Sequence, residues 1–360
     1  MDVYFSDHFG VDPDTIEAYG AFNISLVADL PLFIDPFRLF NSRKVKYRAL
    51  HDRMIEYLRF LRDKSNDPNL SDGLIKAWYR FPEVKQNWFG FSTDSNRGSG
   101  LGRDFALALH TNLHQLFKDF GDENVTHGSH LEKLCLVGEG VGKDNISDFT
   151  TNLILEYLLE YTQAFAAKHI SEDLCRGFTV DKVRFNYDTE SWERAVFNLP
   201  HFRGEFVLLT PRDMLTKDDT WINRSDLVDE FPYLPDAVPN DQLRAQINNY
   251  FRKLLPKNAK RKEERDAAAR TIRQFPQLVD YYIKSKEENG DDAAKMSLAK
   301  VRASKQLYVE QFKELPELLA SLPEFYRLSG NTYDEARSRV QFLKDVIENK
   351  GGHTIFYIKG

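Results

Sequence analysis

Asp144 and Asp148 lie four residues apart where a glycine-broken turn, Gly138-Glu-Gly-Val-Gly-Lys-Asp144, runs into an amphipathic stretch. That spacing puts both carboxylates on one face of a helix, with Glu139 in the turn beside them. Hard oxygen donors so grouped can hold a divalent cation such as Mg or Mn, or polarise a water. On this reading Glu139, Asp144 and Asp148 are catalytic, Asp144 and Asp148 are metal ligands, and the chain is a metal-dependent phosphodiesterase or nuclease. The plainer reading makes Asn145 or Ser147 the N-cap of the helix, with Asp148 closing a capping-box-like bond. The alternating glycines also suit a phosphate cradle. They do not complete the G-x-x-x-x-G-K-[ST] spacing of a P-loop.

A second chemistry lies in the cations. Gly98, Gly100 and Gly102 alternate between Arg97 and Arg103, and consecutive amides in such a loop can form an anion nest. Lys253 to Arg273 is the strongest basic run, and Lys260, Arg261 and Lys262 are its densest part. These five residues are the candidate nucleic-acid contacts, through phosphates rather than bases. The alternative for the run is a solvated helix, because Glu263, Glu264 and Asp266 interrupt it. His110 and His114 have i, i+4 metal-pair spacing but no H-E-x-x-H around them. No acid, spacer and lysine of a restriction-type nuclease is assembled: Asp181-Lys182 lacks the spacer, Glu205-Phe206-Val207 has Val in place of Lys, and Glu83-Val84-Lys85 and Glu348-Asn349-Lys350 have the spacing but sit outside any clear strand.

The elements that would position these groups follow from periodicity. Phe149, Leu153, Tyr157, Tyr161 and Phe165 recur every four residues and predict one long helix crossing the core. Tyr47 to Asp63 predicts a second, with Leu50, Met54, Tyr57, Leu58 and Leu61 on one face. Residues 1–42 read as strand-like, with Asp29 and Asp35 in proline-spaced turns. Phe178 to Tyr187 and Glu205 to Thr210 read as strands, with Trp192 and Trp221 anchoring loops. The fold class expected is α+β, predominantly helical, with a small sheet in the N-terminal part and a helical C-terminal part. The proline-spaced FPYLPDAVP suggests a boundary: a mixed domain over 1–238, a helical domain over 239–350, and a strand over 351–360. That last strand, HTIFYIKG, has no evident partner and points to a polypeptide continuing past Gly360.

A chain of 360 residues, 42% apolar, can bury a sizeable core. Its net charge of −6 gives the molecule as a whole no attraction to nucleic acid, so any such contact must be local. Two cysteines exclude a disulfide framework. With no apolar leader and no run of roughly 18 apolar residues, they point to a cytoplasmic protein without a membrane span.

Three segments taken together, DLPLFIDPFRLFNS, GVGKDNISDFTTNLI and LLTPRDML, resemble the N-terminal region of poorly characterised bacterial restriction and phage-defence proteins. In that group a restriction-endonuclease-like domain can follow a final R-x-x-F-L-K helix and a strand, here Arg339 to Asn349 and His353 to Ile358. The resemblance implies a recognition, assembly or regulatory region of antiphage defence. Such a region binds nucleic acid or a phage component and works with a nuclease activity. A protein-binding scaffold, with a protein partner or as a homo-oligomer, is the third expectation beside the metal enzyme.

Overall fold

The described part of residues 4–42, expected to be strand-like, carries three short helices and one short strand, and the reason is local. Asp12 and Asp35 each precede a proline, which is pre-set for the first helical position while the aspartate caps the free amides. Asp12 accepts from the Asp14 amide and Asp35 from the Phe37 amide. These start α2 (Pro13–Tyr19) and α3 (Pro36–Phe40), with α1 (Phe5–Phe9) before them and the strand β1 (Leu32–Ile34) between them. The structure, a computed structural model, describes residues 4–26, 30–67, 70–89, 101–116, 120, 123–137, 141–217 and 219–301. Asp29 and the expected final helix and strand beyond residue 301 lie outside them.

The helix expected from Tyr47 is α4 (Val45–Lys64), which buries Leu50, Met54, Tyr57, Leu58 and Leu61 as its spacing requires. After it come α5 (Asp72–Trp78), α6 (Arg103–Leu116), α7 (Lys133–Val137), α8 (Lys143–Leu153) and α9 (Leu155–His169). The single long helix expected here is therefore two. Thr150 and Thr151 donate their hydroxyls to the carbonyls of Ile146 and Ser147, and the Asn152 amide reaches the Asp148 carbonyl. Three consecutive side chains competing for carbonyls four residues back bend a helix, and the break falls at Ile154 (φ −106°, ψ 14°).

The sheet is an antiparallel hairpin, β2 (Cys175–Asn186) with β3 (Ser191–Phe202), extended by β4 (Glu205–Phe206). β3 was not expected from the sequence, and Trp192 lies in this strand rather than in a loop. Arg203 and Gly204 join β3 to β4 with φ of 51° and 90°, a two-residue turn that glycine makes accessible. The run Val207 to Thr210, expected as strand, is buried but unpaired as one. β5 (Leu215–Lys217) instead pairs antiparallel with β1.

The rest of the described residues is mainly helical: α10 (Arg224–Asp229), α11 (Asp241–Leu254), α12 (Arg261–Gln274), α13 (Leu278–Glu288) and a last run over 290–301. The protein is thus a predominantly helical α+β fold. Two hydrophobic clusters hold it. One gathers α1, α2, β1, the α4 N-terminal half, α9 and the hairpin. The other joins Phe37, Tyr57 and Phe149 to Ile247, Ile272, Leu278 and Tyr282, so it runs across residues 238–240. Phe231 and Leu234 of the proline-spaced segment are themselves part of it, and Pro235 between them and residue 238 is buried.

Candidate functional site

The three segments singled out in the sequence meet in space. The Ile34 amide donates to Ser147 Oγ of α8 at 2.9 Å. The Asp35 amide donates to the Met214 carbonyl at 3.0 Å, and Asp35 Oδ2 accepts from the Trp221 amide at 2.9 Å. Ser147 is thus a tether between segments and not the N-cap. Nor is Asn145. The helix begins at Lys143, and Asn145 in its first turn accepts from the Gly142 amide at 2.9 Å.

Asp144 and Asp148 stand on one face of α8, as their spacing requires. Asp144 is exposed and Asp148 half-buried. Burial raises the Asp148 carboxyl to about 7, with the charges of Glu83 and then Asp144 adding to it. Burial also raises Asp144, and Lys143 opposes the shift. The sequence offers Glu83 only in the Glu83-Val84-Lys85 spacing and does not place it near Asp148, because only the fold carries residue 83 toward α8. Glu139 lies outside the described residues. Among the described residues no three His, Cys, Asp or Glu side chains are grouped to hold a metal ion. Burial also holds Lys182, in the bulge of β2, down at about 8. Its ammonium is bound by the carbonyls of Ala77, in the last turn of α5, and of Arg80 just after it.

A second titratable group is fully internal, and no motif announced it. Glu132 is 0% exposed, and neither carboxyl oxygen has a hydrogen-bond partner among the described residues. Burial and then the charge of Asp35 hold it well above the carboxylate range. The amides of Phe37 and Glu132 itself restrain that shift without hydrogen-bonding it. Asp35, equally buried, is held at about 6 by burial despite its two amide donors. His130 lies between Glu132 and Glu287: its Nε2 is 2.8 Å from Glu287 Oε1 and its Nδ1 is 3.9 Å from Glu132 Oε2. A carboxylate only accepts, so Nε2 carries the hydrogen. Glu287 also accepts from the amides of His127 and Gly128. A Cβ at Gly128 would come within 2.8 Å of the Phe40 ring, so glycine is what lets this loop close on Glu287. His51, whose ring centre is 6.1 Å from that of His130, is pushed down to about 3 by burial and then by His130.

The cations give the third cluster. Residues 252–262 carry six of them, Arg252, Lys253, Lys257, Lys260, Arg261 and Lys262, and no acid. All six are exposed at the corner where α11 turns into α12. None forms an ion pair among the described residues. The acids that interrupt the run come after this corner. Glu263 turns back onto the Lys260 amide at 2.7 Å, and Arg265 is taken up by Asp229. His110 lies on α6, half-buried, with its Nε2 unpartnered among the described residues. Arg103 is exposed at the start of α6, and Arg97 lies outside the described residues.

Cys135 is buried and Cys175 half-buried, and both are free thiols. Among the described residues no helix is long and apolar enough to cross a membrane. No curated protein and no solved structure matches the chain. Residues 10–223, which hold the three converging segments and the hairpin but not the basic corner, match a family described as a domain of unknown function, DUF8370, and the chain belongs to that family.

Proposed function

We propose that the protein is a nucleic-acid recognition region of the antiphage-defence type, acting beside a nuclease activity and gripping phosphates through the α11–α12 corner. The observation that carries this reading is the acid-free run 252–262. Six exposed cations on one bend give a strong local field in a molecule whose net charge is −6. A field of that kind attracts a polyanion through counterion release, without base readout. The resemblance of the N-terminal segments supports the defence setting, and the helical hairpin supplies a rigid support for the contact.

The test is fluorescence anisotropy of the full chain with a labelled duplex and a labelled single strand over a salt series. Binding should weaken linearly in log–log form. Replacing Lys257, Lys260, Arg261 and Lys262 by Ala should lower the salt slope by roughly 3, since each phosphate contact contributes about 0.7–0.9. Binding that is absent at low salt, or unchanged in the quadruple variant, would overturn the proposal.

A further inference from the structure

The basic corner has an aromatic neighbour. The proline-spaced segment after α10 forms a short 3-10 helix over Phe231–Ala237. Its Phe231, Leu234 and Pro235 are buried, while Tyr233 is 77% exposed, more than any other large apolar side chain among the described residues. The Tyr233 ring meets no other aromatic ring and its hydroxyl no hydrogen-bond partner among the described residues. Only its backbone is held, by the Glu230 carbonyl at 3.0 Å. Pro232 and Pro235 fix the chain on either side, so the ring is displayed from a stiff support.

A single exposed aromatic is ordinary on a protein surface. What sets Tyr233 apart is where it stands. The Phe231 ring lies 4.7 Å from that of Phe251, in the last turn of α11 and next to Arg252 and Lys253. On the other side Asp229 takes Arg265 of α12, one turn past Arg261. Both anchors are near the ends of α11 and α12 that meet at the corner. Tyr233, two residues beyond the first anchor, therefore stands at the rim of the basic bend. The acids around it are mostly engaged. Asp229 holds Arg265, and Asp226 and Glu230 share the Lys286 ammonium at 3.2 and 2.8 Å. Of the acids in residues 224–237, that leaves Asp236 alone without an ion pair among the described residues.

We propose that the corner takes a single nucleic-acid strand, its phosphates on the cations of residues 252–262 and one unpaired base stacked on Tyr233. This rests on the phosphate-gripping reading of the corner and names its ligand. Cations alone hold duplex and single strand through the same phosphates. An exposed ring beside them adds affinity only where a base can present its face, and in a duplex those faces are already stacked on one another. Every base has such a face, so the contact tolerates any sequence and is open to DNA and RNA strands alike. Tyrosine suits the role, because it offers a large flat surface with few rotatable bonds to freeze.

The experiment is anisotropy of the full chain with four labelled probes of equal length: an oligodeoxyadenylate, an oligoadenylate RNA, an abasic deoxyribose-phosphate strand and a DNA duplex. The wild type should bind the base-bearing strands about 5- to 140-fold more tightly than the abasic strand, the margin that one stacked base supplies. Tyr233→Ala should erase that margin and leave abasic and duplex binding as in the wild type, and Tyr233→Trp should keep it. Far-UV circular dichroism confirms that each variant is folded. A margin on DNA alone or RNA alone supports the stacking and identifies the strand. Equal binding of abasic and base-bearing strands by the wild type, a margin that survives Tyr233→Ala, or a loss in that variant shared by all four probes would overturn the proposal. The quadruple Ala variant of the corner keeps the two readings apart. If it loses every probe while the margin is missing, the phosphate grip stands and the stacking falls; if no probe binds the wild type, both fall.

Discussion

Two groups of carboxylates behave oppositely. Glu132 and Asp35 are 0% exposed and bound into the frame, whereas Asp144 and Glu83 stand in solvent with Asp148 half-covered between them. The inner acids work on the protein itself. Asp35 ties two segments by its amide donors, and burial holds Glu132 well above the carboxylate range in the core. The outer acids have charge to spare and few partners to spend it on. Burial, not residue type or spacing, separates the structural acids from the candidate ligands.

The contrast breaks most sharply at Asp35. Asp35→Ala strips the acceptor from two amides, the buried one of Phe37 and the partly buried one of Trp221. It should lower the unfolding free energy by about 2–6 kcal/mol, at about 1–3 for each orphaned group. Urea denaturation measures it, and a loss below 1 kcal/mol would remove Asp35 from the frame. Glu287→Ala comes next, at about 2–4 kcal/mol, because His127, Gly128 and His130 lose one shared acceptor. Hydrogen exchange at the 127 and 128 amides should accelerate with it.

The third test uses pH. Asp35 and Glu132 are held above their ordinary values, so the folded state keeps protons that the unfolded chain has released. Their contribution is complete below pH 4 and declines as the pH rises, through about 6 for Asp35. Glu132→Gln should flatten the decline above that point and leave the part due to Asp35. Unchanged pH dependence in urea midpoints would show that Glu132 is not the group responsible. His51, held at about 3 against an ordinary 6.5, acts the other way, and its contribution is lost as the pH falls between those values. The smallest effect belongs to the outer face. Asp144→Asn should change stability by less than about 1 kcal/mol, the scale of one charge near a helix start. A larger loss would place Asp144 among the structural acids.

How far the sequence could be read follows the same division. α4 was legible because its apolar period is unbroken, and β2 because its residues alternate. β3 was not: SWERAVFNLPHF mixes charges with a proline and gains its register only from β2. The break at Ile154 was hidden because threonines keep the apolar stripe while bending the backbone. Helix starts moved by a few residues when Asn145 worked from inside the first turn instead of capping it. Asp144 and Asp148 were found by spacing, yet Glu83 reaches them only through the fold. The inner cluster left one faint signal, a glutamate and a histidine at the edge of the apolar run Leu131 to Val137, which periodicity assigns to a short helix without asking what neutralises them.

The pairing of β1 with β5 bears on how the chain reaches this state. Leu32 lies opposite Lys217, so three short rungs close a loop of roughly 180 residues, a closure whose entropy must be met before the contacts repay it. The β2–β3 hairpin needs only a tight turn and can form while that loop is still open. Refolding should therefore pass through a species with the hairpin in place and the first strand free. A chain cut short of residue 217 would be held at that stage. The family match, which ends at 223, takes in the closing strand and the Trp221 amide that anchors it.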